Sequence, residues 1–266
     1  MSGTAFDWAG LSDITSTWLR RTLERLRKQR PRTAHSDEAF CRLAEYCLIV
    51  CSEYRDAAFD AFARERFQAG LNGLRPLLEY AIKLWWCACE RDKVSDRLFA
   101  WETATAGQRL LVARAWRDLE TRNSPGWQRR SARVRLWQQE VDKRKGMRAL
   151  PSVHKMAEEL NGNSRLPPAV ATFYPAYRAL CESSHAPLGL DAVFEPQGPA
   201  LVTRAARSMP FMAPAFAMYV PLLLVFAVGT YFSWDERDIA EGLSKAHNLL
   251  DRHYSLATGQ EPTQRQ

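Results

Sequence analysis

The stretch Tyr177-Arg178-Ala-Leu-Cys181-Glu182-Ser-Ser184-His185 places an arginine and a histidine seven residues apart at the end of a predicted helix. Seven residues are nearly two helical turns, so both side chains share a face if the helix persists to His185. Such a pair can cleave RNA without a metal. Histidine titrates near neutral pH and can move the proton of a 2′-hydroxyl or a leaving group, while arginine is a fixed cation for phosphate as charge develops. Two similar Arg-to-His spacings, Arg30 to His35 and Arg148 to His154, contain Pro31 and Pro151, which interrupt any shared helical face. The competing reading of Arg178 is structural. It forms an i,i+4 ion pair with Glu182, beside a histidine that complements the negative end of the helix dipole.

Other chemistry is harder to build from these residues. The six cysteines stand at 41, 47, 51, 87, 89 and 181, with no Cys-x-x-Cys pair and no matching histidine spacing, so no metal site and no cofactor is expected. Cys47 and Cys51 share a helix face and read as small core hydrophobes. Phosphate loops, dinucleotide glycine patterns, Gly-x-Ser-x-Gly elbows and His-Glu-x-x-His motifs do not occur.

The second chemical feature is charge. The chain has 266 residues with 37 Lys or Arg against 30 Asp or Glu, a formal net of +7. The excess concentrates in 113–148, where Arg114, Arg117, Arg122, Arg129, Arg130, Arg133, Arg135 and others face only four acids. Trp116, Trp127 and Trp137 are interleaved as stacking surfaces, so RNA or a nucleotide is the expected partner. Arginine outnumbers lysine 30 to 7 throughout, so an arginine-rich solvated helix is the plain alternative.

These groups must be positioned by helices. Apolar residues recur at three and four, while alternating strand patterns are nearly absent, which predicts an all-α fold. A helix over about 11–29 ends at Arg30-Pro31, and a second starts after Ser36. A third, over 74–91, is apolar almost all round and belongs in the middle of a bundle. Shorter helices are expected over 95–103, 105–121 and 127–145, with a turn at Asn123-Ser-Pro-Gly126, and the segment 186–199 reads as a loop. From Ser208 to Trp234 no residue is charged, 27 residues in all. That length could span a bilayer, but Pro210, Pro214 and Pro221 interrupt it, and a central apolar helix near the C-terminus is the preferred reading over a membrane span. Residues 1–7 lack a secretory signal pattern, and with reduced thiols this predicts a cytoplasmic protein. The expected organisation is one all-α domain over 1–266: an appended N-terminal helix and connector over 1–34, a bundle over 36–255 and a polar tail over 256–266.

Leu74-Arg75-Pro76-Leu77-Leu78-Glu79-Tyr80, followed about 100 residues later by Tyr177-Arg178-Ala-Leu-Cys-Glu-Ser-Ser-His185, resembles an uncharacterised bacterial helical family with an Arg-x-x-x-Glu on an apolar helix and a Tyr-x-x-Leu-Ser/Cys-x-x-x-His near a later helix end. That family is similar in turn to HEPN domains, helical bundles that often dimerise and in many members cut RNA with an Arg-x(4–6)-His motif. The resemblance covers roughly 36–255. It implies a metal-independent ribonuclease of a toxin or defence system, with Arg178 on phosphate, His185 moving the proton, Arg75 and Glu79 lining the same cleft, and a homodimer. Ala179 stands where active members often have a polar residue, and Ala186-Pro187 follows His185 where the helix usually continues. A non-catalytic nucleotide- or protein-binding module is the alternative.

Overall fold

In a computed structural model the chain is all-α, as its periodicity predicts. The structure describes residues 6–29, 35–146, 149–161, 175, 177–178, 180, 194–197, 200–235 and 237–258. Eight helices are described: α1 Trp8–Gln29, α2 His35–Ala63, α3 Phe67–Ala88, α4 Val94–Asp118, α5 Pro125–Asp142, α6 Val153–Asn161, α7 Arg204–Phe232 and α8 Arg237–Thr258. A short antiparallel hairpin, β1 Phe194–Gln197 with β2 Ala200–Thr203, pairs Phe194 with Thr203 and lies partly inside the segment read from sequence as a loop. By packing, the chain forms two compact units: Met1–Cys89 with Val153–Gln266, and Glu90–Ser152.

In the first unit α3 is the central helix, packed against α2, α6 and α7. Leu74, Leu77, Leu78, Ala81, Ile82, Leu84, Trp85 and Trp86 are all buried, as a helix apolar on every side requires. The helix begins at Phe67, before the expected 74, because Gly70 is a contact and not a break. A Cβ added there would lie 2.2 Å from the Phe62 ring of α2. Pro76 sits inside α3, where burial on both sides outweighs the lost backbone donor.

The uncharged run forms α7. Its segment Ala213–Phe232 is long and apolar enough by length and composition to cross a membrane. Within the unit Leu222, Leu223, Leu224, Val225 and Val228 are nearly inaccessible, whereas Phe226 is only partly covered. Polar side chains tie α7 to its neighbours. Tyr231 donates its hydroxyl to Asp37 while its ring stacks on Phe40 at 3.8 Å. Between α7 and α8, the Tyr219 hydroxyl and His247 Nε2 are 3.2 Å apart, and His247 Nδ1 lies 3.0 Å from the Leu243 carbonyl oxygen. The carbonyl can only accept, so Nδ1 donates to it.

One cation lies deep between α1 and α2. Arg55 is 3% exposed; its Nε donates to Thr15 Oγ1 at 3.0 Å and its Nη2 to the Ser12 carbonyl at 2.6 Å, with an ion pair to Asp56. Burial pulls its pKa down, and Asp56 and Asp13 push it back up. A buried guanidinium without such partners would be strongly destabilising.

The second unit is an antiparallel helical hairpin of α4 and α5. The expected break near residue 104 does not occur: α4 runs through it, with the hydroxyls of Thr103 and Thr105 donated back to the carbonyls of Phe99 and Trp101 one turn earlier. Ser124 caps α5 by accepting the Trp127 N–H at 3.0 Å, with Pro125 in the first turn, so the expected turn is in place. Leu110, Ala113 and Val134 form a small core flanked by Trp137 and Val141.

Candidate nucleic-acid interface

The unit Glu90–Ser152 contains 15 Lys or Arg against 8 Asp or Glu, a net of +7, which equals the formal charge of the whole chain. The other unit is therefore balanced. Inside this unit most of the acids are spent on particular cations, Asp92 and Asp96 near the start of α4 being the exceptions. Glu90 pairs with Lys93 and Arg97, which together hold its carboxyl below the usual range, and Glu120 pairs with Arg130 at 2.6 Å. Glu140 binds Lys143 and Arg144, and Asp142 binds Lys145. Arg109 and Arg114 are exposed without an ion pair but are engaged by the Trp137 ring and by Gln138, which leaves Arg122, Arg129, Arg133 and Arg135 exposed with neither an ion pair nor another side-chain contact among the described residues. A cation already paired has little field to offer a ligand; these four have all of theirs.

Two of the tryptophans lie between arginines in a reciprocal arrangement. Arg109 and Trp116 are seven residues apart on α4, and Arg130 and Trp137 are seven apart on α5. Because the helices run antiparallel, the pairs cross. The Arg109 guanidinium lies 4.9 Å from the Trp137 ring centroid, and Arg130 lies 5.1 Å from that of Trp116. Each contact is within the reach of a cation–π attraction. These crossed contacts put Arg109, Trp116, Arg130 and Trp137 on one flank of the hairpin. Arg133 shares that flank, three residues after Arg130 and four before Trp137. The acids of the flank are Glu120, held by Arg130, and Glu102 with Glu140, both beside Arg144.

Trp116 and Trp137 were legible as stacking residues in the sequence. Arg109 was not, because it precedes the arginine-rich stretch. The signal that finds it is the repeated Arg-x(6)-Trp step on two consecutive helices. Trp116 is 54% exposed, so one arginine does not cover it.

The residues singled out by the HEPN-like reading are placed as follows. Arg75 Nε and Glu79 Oε1 are 3.2 Å apart on α3, one turn apart, and each side chain is 27% exposed. The pair exists and is half-buried. Tyr177, Arg178 and Leu180 are helical, with Arg178 exposed, Tyr177 half-buried and Leu180 buried. Glu182 and His185 lie outside the described residues. The thiols of Cys41, Cys47, Cys51 and Cys87 are all buried, and among the described residues no group of three or more His, Cys, Asp or Glu could hold a metal ion. Compared with protein-family models, curated proteins and solved structures, the chain matches none.

Proposed function

We propose that the chain is a helical nucleic-acid-binding protein that holds phosphate through the α4–α5 hairpin. The observation that carries this is the charge division: the unit Glu90–Ser152 that holds the hairpin carries +7 while the rest of the molecule is balanced. Four exposed arginines without any side-chain contact among the described residues supply the phosphate contacts, and the crossed Arg–Trp pairs supply surfaces on which bases stack. Arginine suits the task because its planar fork meets two phosphate oxygens at once.

Binding of labelled RNA to the full chain over a salt series tests the reading. Each phosphate contact contributes a slope of roughly −0.7 in log K against log salt for a single strand, so replacing Arg129, Arg133 and Arg135 by Gln should flatten the slope by about 2. No binding to RNA at low salt would overturn it.

Cleavage is a second layer of the proposal. It rests on the exposed position of Arg178 beside half-buried Tyr177, which leaves its guanidinium open to a phosphate. In this reading Arg178 holds the phosphate of bound RNA and His185 moves the proton, without metal.

A further inference from the structure

We infer that the hairpin binds single-stranded nucleic acid in preference to a duplex, with unpaired bases stacked on the crossed Arg130–Trp116 and Arg109–Trp137 pairs. This rests on the nucleic-acid reading above and specifies its substrate class. Three observations favour a single strand.

The first is the chemistry of the flank. A duplex offers phosphates and groove edges, and its bases are already stacked on each other, so an exposed indole gains nothing from its outer wall. An unpaired base has a free π-face and stacks on an aromatic ring or on a guanidinium plane. Trp116 is more than half exposed, and the Arg109 guanidinium that covers Trp137 is itself exposed.

The second is spacing. The two pairs are seven residues apart along each helix, about 10 Å at 1.5 Å per residue. That distance is about three nucleotides of a stacked strand at roughly 3.4 Å each. Arg133 falls between the two pairs, where a backbone that joins the stacked bases carries its phosphates.

The third is the placement of charge. The acids of this flank are paired with Arg130 and Arg144 at its two ends, so the middle presents Arg133 without a neighbouring carboxylate from either helix. A strand laid along the flank meets a cation at its centre and aromatic surface on both sides. Neither helix presents its N-terminal turn to this stretch, so the recognition is by side chains.

The test uses the full chain and two fluorescein-labelled probes of one sequence, a 12-nucleotide single-stranded RNA and its blunt duplex, read by anisotropy at fixed salt. The single strand should bind at least tenfold more tightly than the duplex. Trp116→Leu should weaken single-strand binding about tenfold and leave duplex binding unchanged, whereas Trp116→Phe, which keeps a π-face, should recover most of the loss. Arg133→Gln should weaken both probes and lower the salt slope by about one contact. Equal affinity for the two probes, or a Trp116→Leu protein that binds the single strand like the wild type, would overturn the inference while leaving phosphate binding by the hairpin intact. Failure of the wild type to bind either probe would overturn both.

Discussion

The indole N–H of Trp85 on α3 donates to the backbone carbonyl of Leu223 on α7 at 2.7 Å, inside the core. This bond joins the two most buried helices of the larger unit, and it shows how the uncharged run is used here. A helix that could pass for a membrane span by length offers one of its own carbonyls to a tryptophan of a neighbouring core helix. Trp85→Phe keeps the ring's apolar surface in part and removes the donor. It should lower stability by about 1–3 kcal/mol, the usual worth of a buried hydrogen bond with some lost packing. Urea denaturation followed by circular dichroism measures it, and a loss below about 0.5 kcal/mol would show that the bond does not tie the helices.

The thiols predict a pH dependence whose direction follows from burial. Burial pushes the Cys51 thiol up to about 12 from an ordinary value of 9.0, and Cys47 rises for the same reason, with Cys51 and Cys87 beside it. Between about pH 9 and 12 the unfolded chain has lost protons that the folded chain keeps, so stability falls as pH rises through this window and is unaffected below it. At pH 8 an aromatic disulfide reagent should leave Cys41, Cys47, Cys51 and Cys87 unmodified in the folded protein and reach them once guanidinium unfolds it. Rapid modification of Cys51 in the native state would contradict this.

The Arg75–Glu79 pair should contribute little. At 3.2 Å and with each side chain 27% exposed it is an i,i+4 helix pair partly open to water. A double-mutant cycle with Arg75→Met and Glu79→Gln should give a coupling of about 0.3–1 kcal/mol that shrinks in added salt. A coupling near 3 kcal/mol would mark the pair as fully buried and restore the enclosed cleft that the sequence suggests.

Much of this architecture was open to reading in the residues, and the places where it was not have physical causes. The described part of α1 runs to Gln29, and Arg30-Pro31, where a missing donor sets its expected end, lies outside the described residues. The centrality of α3 follows from its all-round apolar face. The start of α3 lies earlier than expected because Gly70 reads either as a break or as close packing, and it serves packing. Gly70 admits the Phe62 ring, and Gly242 admits the Trp18 indole, whose nitrogen would lie 2.4 Å from an added Cβ. Periodicity cannot distinguish a glycine that ends a helix from one that lets two helices touch. The compactness of 90–152 is a matter of contacts, and only its charge was visible beforehand. The crossed Arg–Trp pairs needed the antiparallel pairing of α4 and α5, which spacing along one helix cannot supply. Arg55 was missed because a lone arginine in a helix pattern reads as solvated, while its partners Thr15 and Ser12 lie some 40 residues away.

The last prediction concerns Arg178 and His185. Arg178 is exposed, so Arg178→Ala should change stability by no more than about 0.5 kcal/mol, and a change in RNA handling by that variant then reports on the residue and not on the fold. If the two side chains act on one phosphate, the wild type should cut RNA in EDTA and leave a 2′,3′-cyclic end, because the 2′-hydroxyl is the nucleophile. General acid–base catalysis is worth roughly 10² to 10⁴-fold, so His185→Ala should lose nearly all cleavage while RNA binding by the hairpin persists. Arg178→Lys retains the charge but not the planar fork and should also cut more slowly. The two functions therefore separate in one experiment. Binding lost in Arg129, Arg133 and Arg135 variants with cleavage of short substrates retained would place phosphate capture and chemistry on different parts of the chain. Binding without any cleavage by the wild type would make the protein a binding module.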